Sequence, residues 1–285
     1  MKEALFYERE STYVICKLCP HHCHLKDTKI GKCGMRQNNQ GILYSLNYGK
    51  IAALQIDPIE KKPLYQFLPG TKTLSFGSFG CNFTCVFCQN HHIAQEKDIK
   101  SIAPTSHMIP EQIVGLALEY DTPSISYTYN EPTIFYEFML DTAKLAKEKQ
   151  LSNVIVSNGY IEEEPLKELL PYIDAVNIDL KSFTNDCYTD YMGGMLEPVK
   201  RTIEIAAKRI HVEVTTLVVT KINDNIEEIE ELAAWLASIR SDIPLHLSRY
   251  FPNYKYDEQA TELQLMYKAE QVAKKHLQHV YLGNM

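Results

Sequence analysis

Thr73-Leu-Ser-Phe-Gly-Ser-Phe-Gly80-Cys81-Asn-Phe-Thr-Cys85-Val-Phe-Cys88-Gln-Asn90 decides how the rest of the chain reads. Its first half alternates small polar and large apolar residues and runs into glycines, the pattern of a strand entering a tight turn. Its second half is a C-x3-C-x2-C array. Three thiolates on one short loop can hold three irons of a [4Fe–4S] cube and leave the fourth iron open to an outside ligand. A closed structural zinc site wants a fourth protein ligand. His91 or His92 could serve, so zinc competes at this point.

Downstream the chain alternates strand and helix. Apolar spacing predicts a helix over 111–120, a strand over 124–129 and a long helix over 133–149. A strand at 154–157 precedes a helix at 164–170, and a strand at 175–180 precedes a helix at 199–208. Strand 212–219 leads to helix 226–238, and strand 245–248 to a helix over 261–276. With the strand at Thr73 these make six strand-then-helix units. They predict an α/β fold, a partial (β/α)6 TIM-like barrel with a parallel sheet and its helices outside. Barrels of this kind build their active sites at the C-terminal ends of the strands, and those ends here carry polar residues.

The chain has 285 residues, 45% hydrophobic and 23% charged, which excludes disorder as the main state. No run approaches the roughly 18 apolar residues of a membrane span, and the first ten residues hold no apolar signal region, so a cytoplasmic location is expected. The net charge of −7 is uneven: residues 1–70 hold ten Lys/Arg and six Asp/Glu (+4), and the remainder is −11. Ten scattered positive charges without a stripe read as solvated surface and argue against nucleic-acid binding. Eight cysteines fall into three sets: Cys16, Cys19, Cys23 and Cys33; Cys81, Cys85 and Cys88; and Cys187, a small buried hydrophobe. Without an export signal, the two tight groups suggest metal or cluster ligation rather than disulfides.

A C-x3-C-x2-C loop directly after the first strand of a six-unit array resembles the radical S-adenosylmethionine (SAM) superfamily. In that superfamily the open iron is chelated by the amino and carboxylate groups of SAM. The reduced cluster passes an electron to the sulfonium, which releases methionine and a 5′-deoxyadenosyl radical that abstracts hydrogen from the substrate. The cofactor supplies the chemistry, and the protein supplies orientation and exclusion of solvent. The resemblance makes Cys81, Cys85 and Cys88 the cluster ligands and sets Phe87 against the adenine edge.

Other positions follow from the same resemblance. Tyr129-Asn-Glu131-Pro132 stands where the superfamily has a Gly-Gly-Glu-like segment, with Glu131 beside the SAM ammonium and the glycines absent. An acid in the first turn of the next helix is the other reading. Val156-Ser157-Asn158-Gly-Tyr160 is similar to the Thr-Asn-Gly that glycyl-radical-enzyme activases place near the SAM ribose and carboxylate, and it is also a generic turn. In Asn177-Ile-Asp179-Leu-Lys181, period two puts the three polar residues on one face. Turning them into a closed barrel is costly unless they bind something. The resemblance places Lys181 near the SAM carboxylate; a lysine snorkelling from the rim is the alternative.

His211, Glu213 and Thr215 share a face, and Glu213 reads either as a functional carboxylate or as the partner of a neighbouring lysine. Arg249 or Tyr250 lies where activases have a histidine near SAM.

These segments, with Asp57-Pro-Ile-Glu-Lys-Lys-Pro63, look most like the radical SAM component of the AmmeMemoRadiSam system, from about Cys16 to Asn284. The resemblance implies an oxidoreductase-type, activating-enzyme-like protein that abstracts hydrogen from an unidentified substrate. It implies an electron donor such as flavodoxin or ferredoxin and other proteins of the same system. The alternatives are an activase that installs a glycyl radical on a partner protein, and a zinc-binding interaction or nucleic-acid module without catalysis.

Cys16-Lys-Leu-Cys19-Pro-His-His-Cys23 with Cys33 is a C-x2-C-x3-C-x9-C array. Four thiolates complete a zinc site or an auxiliary [4Fe–4S] cluster, with His21, His22 and His24 as substitutes. The expected division is a Cys-rich module over 1–70 and a barrel over 71–285.

Overall fold

The computed structural model describes residues 1–97 and 106–285. Its centre is an eight-stranded sheet: β1 (Ala53–Pro58), β2 (Lys72–Gly77), β3 (Ser124–Tyr127), β4 (Ser152–Ser157), β5 (Ala175–Asp179), β6 (His211–Val218), β7 (Leu245–Arg249) and β8 (Val280–Gly283). The strands lie in chain order across the sheet. β2 to β8 are parallel, and β1 pairs antiparallel with β2. Between successive parallel strands run α1 (Pro110–Glu119), α2 (Tyr136–Glu148), α3 (Glu163–Leu169), α4 (Leu196–Ala207), α5 (Ile226–Ile239) and α6 (Leu263–Ala273). This is the expected partial barrel, wound in one direction and extended by one strand at each edge.

Local sequence accounts for the helices. The Asn225 side chain accepts from the N–H groups of Glu227 and Glu228 and caps α5, whose first turn is acidic. Ile229, Leu232, Ala233 and Leu236 then form one buried stripe against the sheet. α4 does the same with Val199, Ile203 and Ala206.

The two faces of β5 divide the barrel. Val176 and Ile178 pack outward into the helix layer, while Asn177 and Asp179 turn inward. The lower interior is plugged by the chain after β1: Ile59 and Leu64 are fully buried against Val154 and Ala175. Asn177 Nδ2 donates to Pro63 O at 2.8 Å, and Glu213 accepts from the N–H groups of Tyr65 and Gln66 at 3.1 and 2.8 Å. Residues 53–67, N-terminal to the expected division at residue 70, supply an edge strand and the floor of the barrel.

The first 45 residues form two small antiparallel sheets. One holds Tyr7–Arg9, Tyr13–Cys16 and His24–Lys26; the other holds Lys2–Glu3, Ile42–Ser45 and Arg36–Asn39. Arg36 fastens them to α2. Its buried guanidinium forms an ion pair with Glu137 and donates to Leu5 O at 2.9 Å and to Cys16 Sγ at 3.9 Å. No helix among the described residues is long and apolar enough to cross a membrane.

Candidate active site

The loop after β2 carries Cys81, Cys85 and Cys88, all free thiols. Its entry is Gly80, with φ of 85°, where a Cβ would lie 2.6 Å from the carbonyl oxygen of Cys33. Only glycine lets the loop pass this close to the N-terminal module. The loop is pinned by its backbone: Thr84 N–H donates to Met192 O at 2.8 Å, Val86 N–H to Tyr191 O at 3.2 Å, and Lys255 N–H to Val86 O at 2.9 Å.

The three cysteines line a cavity of about 350 Å³ at the C-terminal ends of the strands. Two donors already face one sulfur: Phe83 N–H lies 3.3 Å and Asn158 Nδ2 3.7 Å from Cys81 Sγ. Burial pushes all three thiols up, Cys85 to about 12. A nearby cation is what would let such thiols ionise.

Phe87, Glu131, Ser157, Asn158, Asp179 and Lys181 line the same cavity. Glu131 caps the 3-10 turn Pro132–Phe135 that leads into α2, its carboxylate accepting from Thr133 N–H at 3.0 Å. It also accepts from Ser157 Oγ and Asn158 N–H, both at 2.8 Å, so one carboxylate fixes the turn after β4. Burial raises its pKa, and these donors oppose the rise. Glu131 thus both caps the turn at the start of α2 and lines the cavity.

Lys181 Nζ lies 2.9 Å from Asp179 Oδ2. Burial pulls this ammonium down, but Asp179 and Cys85 outweigh it and hold the lysine above its ordinary value. It is half-buried and lines the same cavity as the cysteines.

Arg249 is not brought to the cavity. Its Nε donates to Thr261 O at 2.7 Å and its guanidinium lies over the Phe251 ring. Tyr250 is buried with its hydroxyl on Tyr256 O, and from β7 it is Ser248 that lines the cavity. Glu213 lies below the cavity and accepts from His211 and His246, at 3.0 and 2.6 Å, rather than from a lysine. It ties the plug to two strands.

Residues that the motifs do not flag complete the site. Asn82 Oδ1 accepts from Asn158 Nδ2 at 2.8 Å, and Asn82 Nδ2 donates to Tyr160 O at 2.8 Å. Asn130 bridges Ser78 N–H and Gly80 O. An Asn inside a cysteine loop carries no sequence signal that separates it from an ordinary turn residue.

The N-terminal cysteines gather around a second, small cavity of about 10 Å³. Cys16, Cys19 and Cys33 are buried and Cys23 is half-buried. The histidines near them are engaged elsewhere. His21 bonds to Asn82 O, His22 pairs with Glu162 at 3.0 Å, and His24 lies against Tyr13. Among the described residues, no group of three or more His, Cys, Asp or Glu side chains is set to hold one metal ion.

The profile of the radical SAM superfamily matches residues 76–236. An uncharacterized protein of Methanocaldococcus jannaschii is 44% identical over 290 residues, covering 100% of this chain and 86% of that protein. The pyruvate formate-lyase-activating enzyme of Clostridium pasteurianum is 25% identical over 192 residues, 64% of this chain and 76% of that enzyme. In fold, QueE from Escherichia coli matches with a TM-score of 0.54 at 15% identity, covering 84% of this chain and 95% of QueE. SuiB from Streptococcus suis, bound to S-adenosylmethionine, matches with a TM-score of 0.56 at 16% identity, covering 71% of this chain and 47% of SuiB. The chain belongs to the radical SAM superfamily, whose members use a [4Fe–4S] cluster and SAM.

Proposed function

We propose that this protein is an enzyme that cleaves SAM reductively at a [4Fe–4S] cluster held by Cys81, Cys85 and Cys88, and that it abstracts hydrogen from a substrate bound in the same cavity. The observation that carries this reading is the convergence of three free thiols and the half-buried Asp179–Lys181 pair on one cavity of about 350 Å³. When bound, the cluster and SAM supply the electron and the radical that takes the hydrogen atom.

The chain's own residues bind and orient. Lys181 offers an ammonium to the carboxylate of SAM, and Asp179 keeps that ammonium charged and in place. Glu131 holds the Ser157–Asn158 turn, so that Asn158 meets both Cys81 and the methionine part of SAM. Phe87, 3% exposed, supplies an apolar edge for the adenine. The buried walls exclude water from the reacting atoms.

Replacing Cys81, Cys85 and Cys88 together with Ala tests the reading. It is expected to abolish 5′-deoxyadenosine formation from SAM and dithionite while circular dichroism keeps the barrel signal. Undiminished 5′-deoxyadenosine from the triple variant would sink it.

The relatives named as activating enzymes favour a second reading, in which the substrate is a glycyl residue of a partner protein. An organic radical signal on a co-purified partner, rather than on a small molecule, distinguishes the two.

A further inference from the structure

One wall of the cavity takes no part in the arrangement described so far. Lys61 and Lys62 reach it from the Asp57–Pro63 segment, and Tyr129 reaches it from the end of β3. Lys62 is 3% exposed, and its Nζ lies 2.7 Å from Asp57 Oδ2 and 4.7 Å from the Tyr129 ring centroid. Lys61 Nζ approaches the other oxygen of Asp57 at 3.3 Å, and the Tyr129 hydroxyl donates to Oδ2 at 2.7 Å. Two ammonium groups thus share one carboxylate, which leaves one net positive charge on this wall.

An ammonium has three N–H donors, and the hydrogen bond that Lys62 makes here, to Asp57, uses one of them. A buried cation that shares its counter-ion is costly unless another anion completes it. Burial opposes ionisation of Asp57, but its three donors prevail and hold it well below the usual carboxylate range. Burial pulls Lys62 below its ordinary value. Asp57 is thus the one carboxylate that both lysines contact.

The backbone holds this wall against the cysteine loop. Tyr129 has φ of 71°, a left-handed conformation that is strained for a non-glycine residue. Its carbonyl accepts from Asn90 Nδ2 at 2.7 Å, two residues beyond Cys88. One strained residue therefore spans from the cysteine loop to Asp57. The positions assigned to SAM, from Glu131 to Lys181, follow β3, β4 and β5 and leave the lysine wall free.

Building on the radical SAM reading of the cavity, we infer that Lys61 and Lys62, set by Asp57 and Tyr129, form a substrate subsite for an anionic group, a carboxylate or a phosphate, of the molecule that loses hydrogen. Lys62 makes the direct contact from inside the cavity, and Lys61 contributes from the rim, where 67% of its side chain is exposed.

The test is calorimetric titration of the reconstituted holoenzyme, saturated with SAM, with inorganic phosphate and separately with succinate at constant ionic strength. At least one probe is expected to bind once per chain. Lys62→Met is expected to weaken it tenfold or more and Lys61→Gln several-fold. Binding of phosphate alone points to a phosphoester substrate, and binding of succinate alone to a carboxylate. Should Lys62→Met fail to fold, Asp57→Asn with Lys62→Met removes the pair together, and Lys61→Gln still reads the wall. Failure of both probes to bind overturns the inference. So does binding that both lysine variants leave unchanged, or binding that Lys181→Met alone removes. A protein that takes up no SAM fails the radical SAM reading instead, and the same titration without SAM still reports on the lysine wall.

Discussion

His21 donates its Nε2–H to the carbonyl oxygen of Asn82 at 2.7 Å, and this bond joins the four-cysteine module to the residue that follows Cys81. A carbonyl only accepts, so the bond fixes the tautomer, and Nδ1 is left facing Lys32 Nζ at 3.5 Å. Burial lowers the pKa of the imidazole, consistent with a neutral ring. The same ring packs on Tyr160, whose carbonyl accepts from the Asn82 side chain. Together with the close passage of Gly80 over Cys33, this makes the N-terminal module one wall of the cysteine loop.

Removing the His21 donor is therefore expected to disturb the loop. His21→Phe keeps a ring but leaves the Asn82 carbonyl unsatisfied, at a cost of about 1–2 kcal/mol. The urea midpoint should fall accordingly, and 5′-deoxyadenosine formation should drop several-fold. His21→Gln, which retains a donor, should recover part of both. Wild-type yield from His21→Phe would show that the loop is placed without help from the module.

The Lys181–Asp179 pair gives a second prediction, on SAM affinity. If Lys181 meets the SAM carboxylate, Lys181→Ala removes a charge-assisted hydrogen bond of about 1.5–3 kcal/mol. A loss of at least tenfold in SAM affinity is expected by equilibrium binding. Lys181→Arg keeps the charge and should lose less. Wild-type affinity in both variants would leave Lys181 only a partner of Asp179.

Much of this site was legible in the sequence because it rests on period and spacing. Asn177, Asp179 and Lys181 alternate with Val176, Ile178 and Leu180, and the structure puts the polar set in the cavity. Arg249 was harder, because β7 ends there and the turn that follows decides which side chain points inward. Its guanidinium is drawn to the Thr261 carbonyl and the Phe251 ring, contacts that no local pattern announces. β1 carries no strand signal in the sequence, because only Asp57 within it is buried and it ends in Pro58, as suits an edge strand. β8 has only four residues, too few for a period to show. The burial of Lys62 depends on Asp57, Tyr129 and a barrel wall far away in sequence, so the lysine pair alone reads as surface.

Glu213 supplies a prediction in pH. It is fully buried and accepts from His211, His246 and two backbone N–H groups. Burial raises its pKa, but these four donors prevail and hold it at about 2, below its ordinary 4.5. Because the folded carboxyl titrates below its unfolded value, its contribution is fully present above pH 4.5 and is lost as pH falls toward 2. Glu213→Gln is expected to lose about 2–3 kcal/mol of unfolding free energy at pH 7. The gap from wild type should narrow steadily below pH 4.5. Urea unfolding across this range checks it, and a gap independent of pH would show that packing, not charge, makes Glu213 matter.

The N-terminal cysteines give the last prediction. Cys16, Cys19, Cys23 and Cys33 line one small cavity of about 10 Å³. Burial raises the thiols of Cys19, Cys23 and Cys33, so proton loss there needs a cation, and binding should release protons. Arg36, which donates to Cys16 Sγ, offsets part of the charge that four thiolates would bring. The four thiols are not set around one ion as they stand, but thiols this close can draw together on a tetrahedral zinc ion, and metal analysis of the wild type is expected to find one zinc per chain beyond the irons of the barrel cluster. Cys16→Ala with Cys19→Ala should remove that zinc and expose the first fifty or so residues to protease. It should also lower 5′-deoxyadenosine formation through the lost His21–Asn82 contact. About four extra irons in place of zinc, with a second reduced-cluster spectrum that vanishes in the double variant, would make the module an auxiliary cluster. Loss of neither metal would make these four cysteines a reduced thiol core, held by the Arg36–Glu137 pair and the two small sheets alone.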